Sequence, residues 1–235
     1  MAIIRGPKIV KDGLVLALDA ADRNSYIGSG TVWSDLSGNK NTGTLTNGPT
    51  FSNLNGGNIV LDGTNDYVNI PYNTNLNPST NVTASIWIRS TVSDLNIRNG
   101  IELSASADEL YFLYFRADLS PKRWGFGIRQ SNSTYAESTS TSSSFSINTW
   151  YNITLVANSS TLLVSLYING LFDGSVAYNG TLKQNAAATL SLGSDPGAAR
   201  RYWQGNVATG LVYSRALSAV EVLQNYNATK GRFGL

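Results

Sequence analysis

Apolar and polar residues alternate with a period of two along much of the chain, the pattern of strands that bury one face. Val82, Ala84, Ile86 and Ile88 face one way, with Thr83, Ser85, Trp87 and Arg89 on the other side. Trp150–Ala157 repeats the scheme, Tyr151, Ile153 and Leu155 opposing Asn152 and Thr154. Gly13–Asp19 is continuously apolar and reads as a buried strand; Leu110–Arg116 is aromatic on both faces and reads as a central one. Trp124–Gln130 sets Trp124, Phe126 and Ile128 against Gly125, Gly127 and Arg129. Such glycines mark a close approach, and tight packing is its commoner cause.

Turn chemistry separates these runs. Ile59-Val60-Leu61 and Tyr67–Ile70 flank Asp62-Gly63-Thr64-Asn65-Asp66, where glycine accepts φ > 0 and aspartate bonds the backbone beyond it. Asn169-Gly170 marks a tight hairpin between Thr161–Ile168 and Leu171–Ala177. Thr44–Thr46, Thr189–Leu192 and Val207–Tyr213 supply further strands, and Ser/Thr-rich Ser131–Ser146 reads as an exposed strand or mobile loop. Trp33 is expected to pin the loop that follows it, with Asp35 and Ser37 making local turn bonds. One helix is predicted, over about residues 219–229. Ser218-Ala-Val-Glu221 forms a capping box there, and Leu217 with Val222 a hydrophobic staple. About a dozen short strands at sandwich-like spacing, without repeat or linker, predict one all-β domain over residues 1–235.

Composition narrows the chemistry. Charged residues are 14%, against about 25% in an average soluble domain, so the polar surface rests on Asn, Ser, Thr and Gly. A net charge of +2 without basic runs argues against nucleic acid, and Arg200-Arg201 reads as solvated loop. With no Cys and no His, thiolate sites, Ser-His-Asp catalysis and imidazole zinc sites are excluded. The N-terminal stretch Met1–Val10 shows no apolar signal segment, and no apolar run reaches membrane-spanning length.

In order, the chain gives Asp35-Leu-Ser-Gly-Asn39 with Gly43, then Leu61-Asp62-Gly63 with Asp66-Tyr67-Val68, and Thr83-Ala-Ser-Ile-Trp87-Ile. Trp150-Tyr-Asn-Ile-Thr-Leu-Val156, Leu166-Tyr-Ile-Asn-Gly170, Leu190-Ser-Leu-Gly193, Trp203-Gln-Gly205 and Val212-Tyr-Ser-Arg-Ala-Leu217 follow. The series resembles the laminin-G-like branch of the concanavalin A-like lectin/glucanase family over nearly the whole chain. That resemblance implies a jelly-roll sandwich of two antiparallel sheets with one concave face. Gln224–Arg232 also resembles the tails of such domains in virion proteins of tailed phages. This second likeness implies a virion protein made in the host cytoplasm without a signal peptide, with no membrane insertion and with other capsid or tail proteins as partners. Capsid decoration or surface display ranks first and glycan-directed host adhesion second; a homo-oligomer is compatible with either.

Some relatives hydrolyse glycosides, which requires two carboxylates flanking the bond. The four glutamates are Glu102, Glu109, Glu137 and Glu221, and none has an acidic partner at strand spacing. Glu102 lies near Asp108 and Glu109, but the Ser-Ala-Ser-Ala between them suggests no strand triad. Asp62 and Asp66 straddle a turn. The expectation is a non-enzyme, with convergence across strands as the alternative. Glycan binding, the family's common activity, needs an aromatic platform with planar hydrogen-bonding groups, which Trp87, Arg89, Tyr114, Arg116, Trp124 and Arg129 would furnish. No cofactor is required. Calcium is the ion the resemblance allows, with Asp19, Asp35, Asn39 and Asp66 as candidate ligands, although Asx turns explain the same residues more simply.

Overall fold

The computed structural model describes residues 7–106, 108–143 and 145–235. Of the N-terminal stretch read for a signal segment, residues 1–6 lie outside the described residues. Among the described residues, sixteen strands form two eight-stranded antiparallel sheets, consistent with a jelly-roll sandwich, and one short helix follows them. In chain order the strands are β1 (Leu14–Asp19), β2 (Val32–Trp33), β3 (Gly43–Thr46), β4 (Thr50–Ser52), β5 (Asn58–Asp62) and β6 (Tyr67–Ile70). Next come β7 (Val82–Ser90), β8 (Ile97–Ala105), β9 (Asp108–Arg116), β10 (Arg123–Arg129) and β11 (Tyr135–Thr139). The last are β12 (Trp150–Asn158), β13 (Leu163–Ile168), β14 (Leu171–Ala177), β15 (Thr189–Leu192) and β16 (Gln204–Tyr213), before helix α1 (Ala219–Thr229).

One sheet runs β14-β13-β12-β7-β16-β5-β4, with β1 also paired to β16. The other runs β11-β10-β9-β8-β15-β6-β3-β2. The hairpin of β5 and β6 therefore divides between the sheets: Ile59 pairs with Val207 and Val68 with Leu192. Gly63 turns that corner at φ 80°, and Asp62 Oδ1 accepts the Thr64 backbone N–H at 2.8 Å. Side chains of one parity fill the space between the sheets, among them Ile86, Ile88, Ile101, Leu103, Leu113, Phe126, Ile153 and Leu166. Each such buried apolar side chain contributes about 1.5–3 kcal/mol from removal of apolar surface from water.

Trp33 is fully buried and holds its loop as expected. Asp35 accepts the N–H groups of Ser37 and of Ala17, both at 2.8 Å, so this turn is also stitched to β1. The capping box forms: Ser218 Oγ accepts the Glu221 N–H at 3.3 Å, and Glu221 Oε2 accepts the Ser218 N–H at 2.8 Å. Leu217 and Val222 share an apolar cluster with Tyr213 and Leu14.

The helix alters the expected surface. Trp87, on the polar side of β7, is 1% exposed because the C-terminal segment covers it. Phe233 stacks on its ring at 4.1 Å and Tyr226 at 5.7 Å, and its indole N–H donates to Thr229 Oγ1 at 2.8 Å. Strand β8 did not emerge from the apolar pattern. It places Ser104 and Ala105 in a strand, where the sequence suggested an irregular link.

Candidate functional site

Strand β8 carries the residues that matter most. Ile101 and Leu103 point into the core, so Glu102 and Ser104 project from the opposite face of the sheet. Glu102 lies opposite Phe112 on β9 and Ser191 on β15. The β8–β9 hairpin returns Glu109 opposite Ser104, next to a register shift. After β15 the chain turns through Ser194–Arg200, and Asp195 pairs with Arg200 as an isolated bridge. This turn packs tightly on the hairpin. The Gly197 N–H donates to Ser104 Oγ at 3.0 Å, and a Cβ on Gly197 would meet the Ser106 carbonyl at 2.2 Å.

The result is a convergence across strands that spacing along the sequence hid. Carboxylate oxygens of Glu102, Glu109 and Asp195 all lie within 4.8 Å of one another. Glu102 and Asp195 are completely buried. Burial, then the charges of Asp195 and Glu109, push the Glu102 carboxyl well above the usual carboxylate range. Arginines balance part of the charge: Arg200 Nε donates to Asp195 Oδ2 at 2.7 Å, and Arg200 and Arg201 each donate to Glu109 Oε1 at 3.1 Å. The Arg200-Arg201 doublet is thus bound into an ion-pair network and is not simply a solvated loop. Two oxygens beside the cluster, Glu102 Oε1 and Asn99 Oδ1, are buried without a hydrogen-bond partner. The Asn99 Nδ2 group donates to Glu102 Oε2.

Next to the buried acids the surface opens into a depression of about 580 Å³, lined by Ser106, Glu109, Tyr135, Gly197, Ala198 and Arg200. Tyr135, on edge strand β11, is 39% exposed; Arg129 lies over its ring at 4.9 Å and Phe112 meets it edge-on. Beneath them, Gly125 and Gly127 make room for the rings of Tyr114 and Phe112. A Cβ at Gly125 would sit 2.5 Å from the Tyr114 ring, so tight packing is the cause of these glycines.

The six residues expected to form a glycan face do not come together. Tyr114, Arg116 and Arg129 share this face, where Arg116 pairs with Asp118 at 2.8 Å and Arg129 with Asp108 at 3.1 Å. Trp124 alternates onto the inner face and stacks on Trp203 at 5.8 Å in the core. Trp87 and Arg89 belong to the other sheet; Arg89 donates twice to Asn206 Oδ1, at 3.0 and 2.8 Å, and lies over Trp150.

The four candidate calcium ligands are likewise dispersed. Asp19 accepts from Arg232 at 2.7 Å and from the Ala21 N–H at 2.9 Å. Asp35 is occupied by backbone N–H groups, Asn39 bridges Ser37 and Asn75, and Asp66 faces Asp62 at the hairpin corner. Among the described residues, the acidic side chains that converge are Glu102, Glu109 and Asp195. The alternation of Ile101, Leu103 and Ala105 around Glu102 and Ser104 was the signal available for β8; nothing local pointed to Asp195.

The chain belongs to the concanavalin A-like lectin/glucanases superfamily, whose family model matches residues 62–223. No curated protein sequence matches it. Among solved structures, the binding domain of Paraclostridial Mosquitocidal Protein 1 is similar at 20% identity and a TM-score of 0.71, covering 93% of this chain and 52% of that one. The botulinum neurotoxin serotype D ligand binding domain, in complex with N-acetylneuraminic acid, is similar at 17% identity and TM-score 0.69, covering 92% and 51%. Domain 4 of AbnA, a GH43 extracellular arabinanase from Geobacillus stearothermophilus, in complex with arabinotriose, is similar at 16% identity and TM-score 0.66, covering 91% and 98%. At these identities the likeness establishes the fold. The chain spans about half the length of the two toxin domains.

Proposed function

We propose that this domain is a non-catalytic carbohydrate-binding module that takes a glycan in the depression beside Tyr135. The observation that carries the reading is the grouping of a half-exposed tyrosine with Arg200 and Glu109 around an open hollow. Sugars are held by stacking on an aromatic face combined with planar donors and acceptors at the hydroxyl groups, and this rim supplies both. Superfamily membership supports it, as does the likeness over nearly its whole length to an arabinanase domain solved with arabinotriose. Hydrolysis is disfavoured by access. Glycosidase carboxyls must touch the scissile bond, whereas Glu102 and Asp195 are completely buried and Glu109 is held by two arginines. A glycan array including arabino-oligosaccharides and sialylated glycans tests the proposal. Specific binding above background is expected, and a folded protein with no hit defeats it.

A second reading, surface display on a phage particle through contacts with other virion proteins, draws on the exposed edge of the other sheet. Leu171 and Phe172 begin edge strand β14 at 65% and 60% exposure, a surface suited to docking on protein. Both functions fit one molecule. Mass spectrometry of purified particles measures it: a copy number near that of the major capsid protein marks decoration, a few copies mark a tail or adhesion role, and absence removes the virion setting.

A further inference from the structure

We propose that the cavity between helix α1 and the outer face of strands β1, β16, β7 and β12 binds a small aromatic carboxylic acid. It lies on the other sheet from Tyr135 and stands whether or not a glycan binds there. Strand pairing lays its floor in two rungs, Ala17, Leu211 and Ser85 in one and Asp19, Thr209, Trp87 and Asn152 in the next. Asn225, Ala228 and Thr229 of the helix form the roof, and the segment over residues 7–11 adds a wall.

Protein interiors leave few voids larger than a water molecule. Here Ala17, Ser85, Thr209 and Ala228 are too small to fill the space between helix and sheet, and about 350 Å³ stays open. Fixed bonds hold the walls apart. Asn225 Oδ1 accepts the Val10 N–H at 2.8 Å, Asn225 Nδ2 donates to the Tyr213 hydroxyl at 3.0 Å, and Gln224 Nε2 donates to the Lys8 carbonyl at 2.8 Å. A site ordered in advance loses little entropy when it is filled.

Thr209 is the residue that marks a ligand. Its side chain is 4% exposed, yet among the described residues its hydroxyl has no hydrogen-bond partner. Buried polar groups nearly always have one. The register of β16 on β7 shifts between Val207 and Thr209, and a bulge of this kind re-aims a side chain.

The lining selects the chemistry. Leu36, Leu211 and the Trp87 indole offer apolar contact, whereas Ser85, Thr209 and Asn152 call for a polar partner. A plain hydrocarbon chain would strand those polar groups, and a ring bearing a hydroxyl group meets both needs. Lys8 and Lys11 are exposed at the mouth and, among the described residues, make no ion pair. Asp19 is matched by Arg232 at 2.7 Å, which leaves the two lysines against Asp22. That surplus favours an acid over a neutral ring.

The full chain is titrated calorimetrically with 4-hydroxycinnamate, with its methyl ester and with decanoate. The acid is expected to bind once per chain with a Kd below about 100 μM, and the ester and decanoate at least about tenfold more weakly. Thr209→Val keeps the shape and should weaken the acid at least about fivefold. Ala228→Phe fills the cavity and should abolish binding. Should it fail to fold by circular dichroism, the double variant Lys8→Ala, Lys11→Ala takes its place, with a loss of at least about tenfold. Tyr135→Ala should bind the acid as wild type does, which separates this site from the glycan depression. No heat from the acid means that the cavity holds only water, and overturns the proposal. So do decanoate or ester binding as tightly as the acid, undiminished binding in Thr209→Val or the cavity variant, and a loss in Tyr135→Ala.

Discussion

The carboxyl groups of Glu102 and Asp195 meet in the dry space beside strand β8, although 93 positions separate them in the sequence. Neither side chain reaches solvent, and burial together with the Asp195 charge raises the cost of ionising Glu102. This contact ties the turn after β15 to the β8–β9 hairpin and sets the floor beside the proposed glycan depression.

The buried Glu102 carboxyl makes stability depend on pH. The Glu102 carboxyl is raised in the folded state above its ordinary value of 4.5, so the folded protein holds that proton more tightly than the unfolded chain. Its stabilising contribution is complete below about pH 4.5 and is lost as pH rises toward the folded value. Glu102→Gln should melt about 2–6 °C above wild type at pH 7.5. The gap should close as the pH approaches 4.5. Calorimetric scans across that range check the sign, and a glutamine variant less stable at pH 7.5 counts against it.

A second ion pair acts in the opposite sense. Arg215 Nη2 lies 2.6 Å from Glu221 Oε1, and this contact holds the Glu221 carboxyl down at about 2. Its contribution is present above the unfolded value near 4.5 and disappears as pH falls through about 2. Partial exposure limits it to about 1 kcal/mol. Glu221→Gln keeps an oxygen for the Ser218 N–H of the capping box but loses the ion pair to Arg215, and should unfold at lower urea at pH 7, with the difference shrinking steadily below pH 4.5.

Tight packing beneath the Tyr135 surface predicts intolerance of a methyl group. A Cβ at Gly127 would lie 2.7 Å from Phe112 Cζ and from the Ala136 carbonyl oxygen. Backbone cannot yield as a flexible side chain can, so Gly127→Ala should cost about 1–3 kcal/mol in urea denaturation. It should also displace Phe112 from beside Tyr135 and weaken any glycan bound there. Full stability in this variant contradicts the packing argument.

The C-terminal cover over Trp87 is held by one specific bond as well as by stacking. Thr229→Val keeps the volume but leaves the indole N–H without its acceptor, which should destabilise by about 1–3 kcal/mol. The midpoint of guanidinium unfolding measures this; an unchanged midpoint means that water replaces the hydroxyl.

The sandwich was legible because local signals agreed with each other. Strict alternation on β7 and β12, the Asp62-Gly63 and Asn169-Gly170 turns and the Ser218–Glu221 cap each place an element without reference to the rest of the chain. The site was far less legible. Arg98, Asn99 and Gly100 interrupt the apolar rhythm of β8, and its end at Ser104-Ala105 lacks β-branched residues, so the alternation around Glu102 is too short to mark a strand by itself. Asp195 reaches Glu102 through the pairing of β15 with β8 and the turn that follows β15, a relationship that spacing along the chain cannot carry. Trp87 misled for a related reason: alternation puts it on an outer face, and only the fold brings Tyr226 and Phe233 across it.

The central claim is that sugar is bound at Tyr135 and not at Trp87, and one paired measurement tests it directly. The strongest ligand from the glycan array is titrated calorimetrically into wild type, Tyr135→Ala and Trp87→Phe. Tyr135 is half-exposed on an edge strand, so its removal should leave the fold intact and weaken binding at least about tenfold. Trp87→Phe should bind as wild type does. Unchanged affinity in Tyr135→Ala, or a loss confined to Trp87→Phe, would contradict the account.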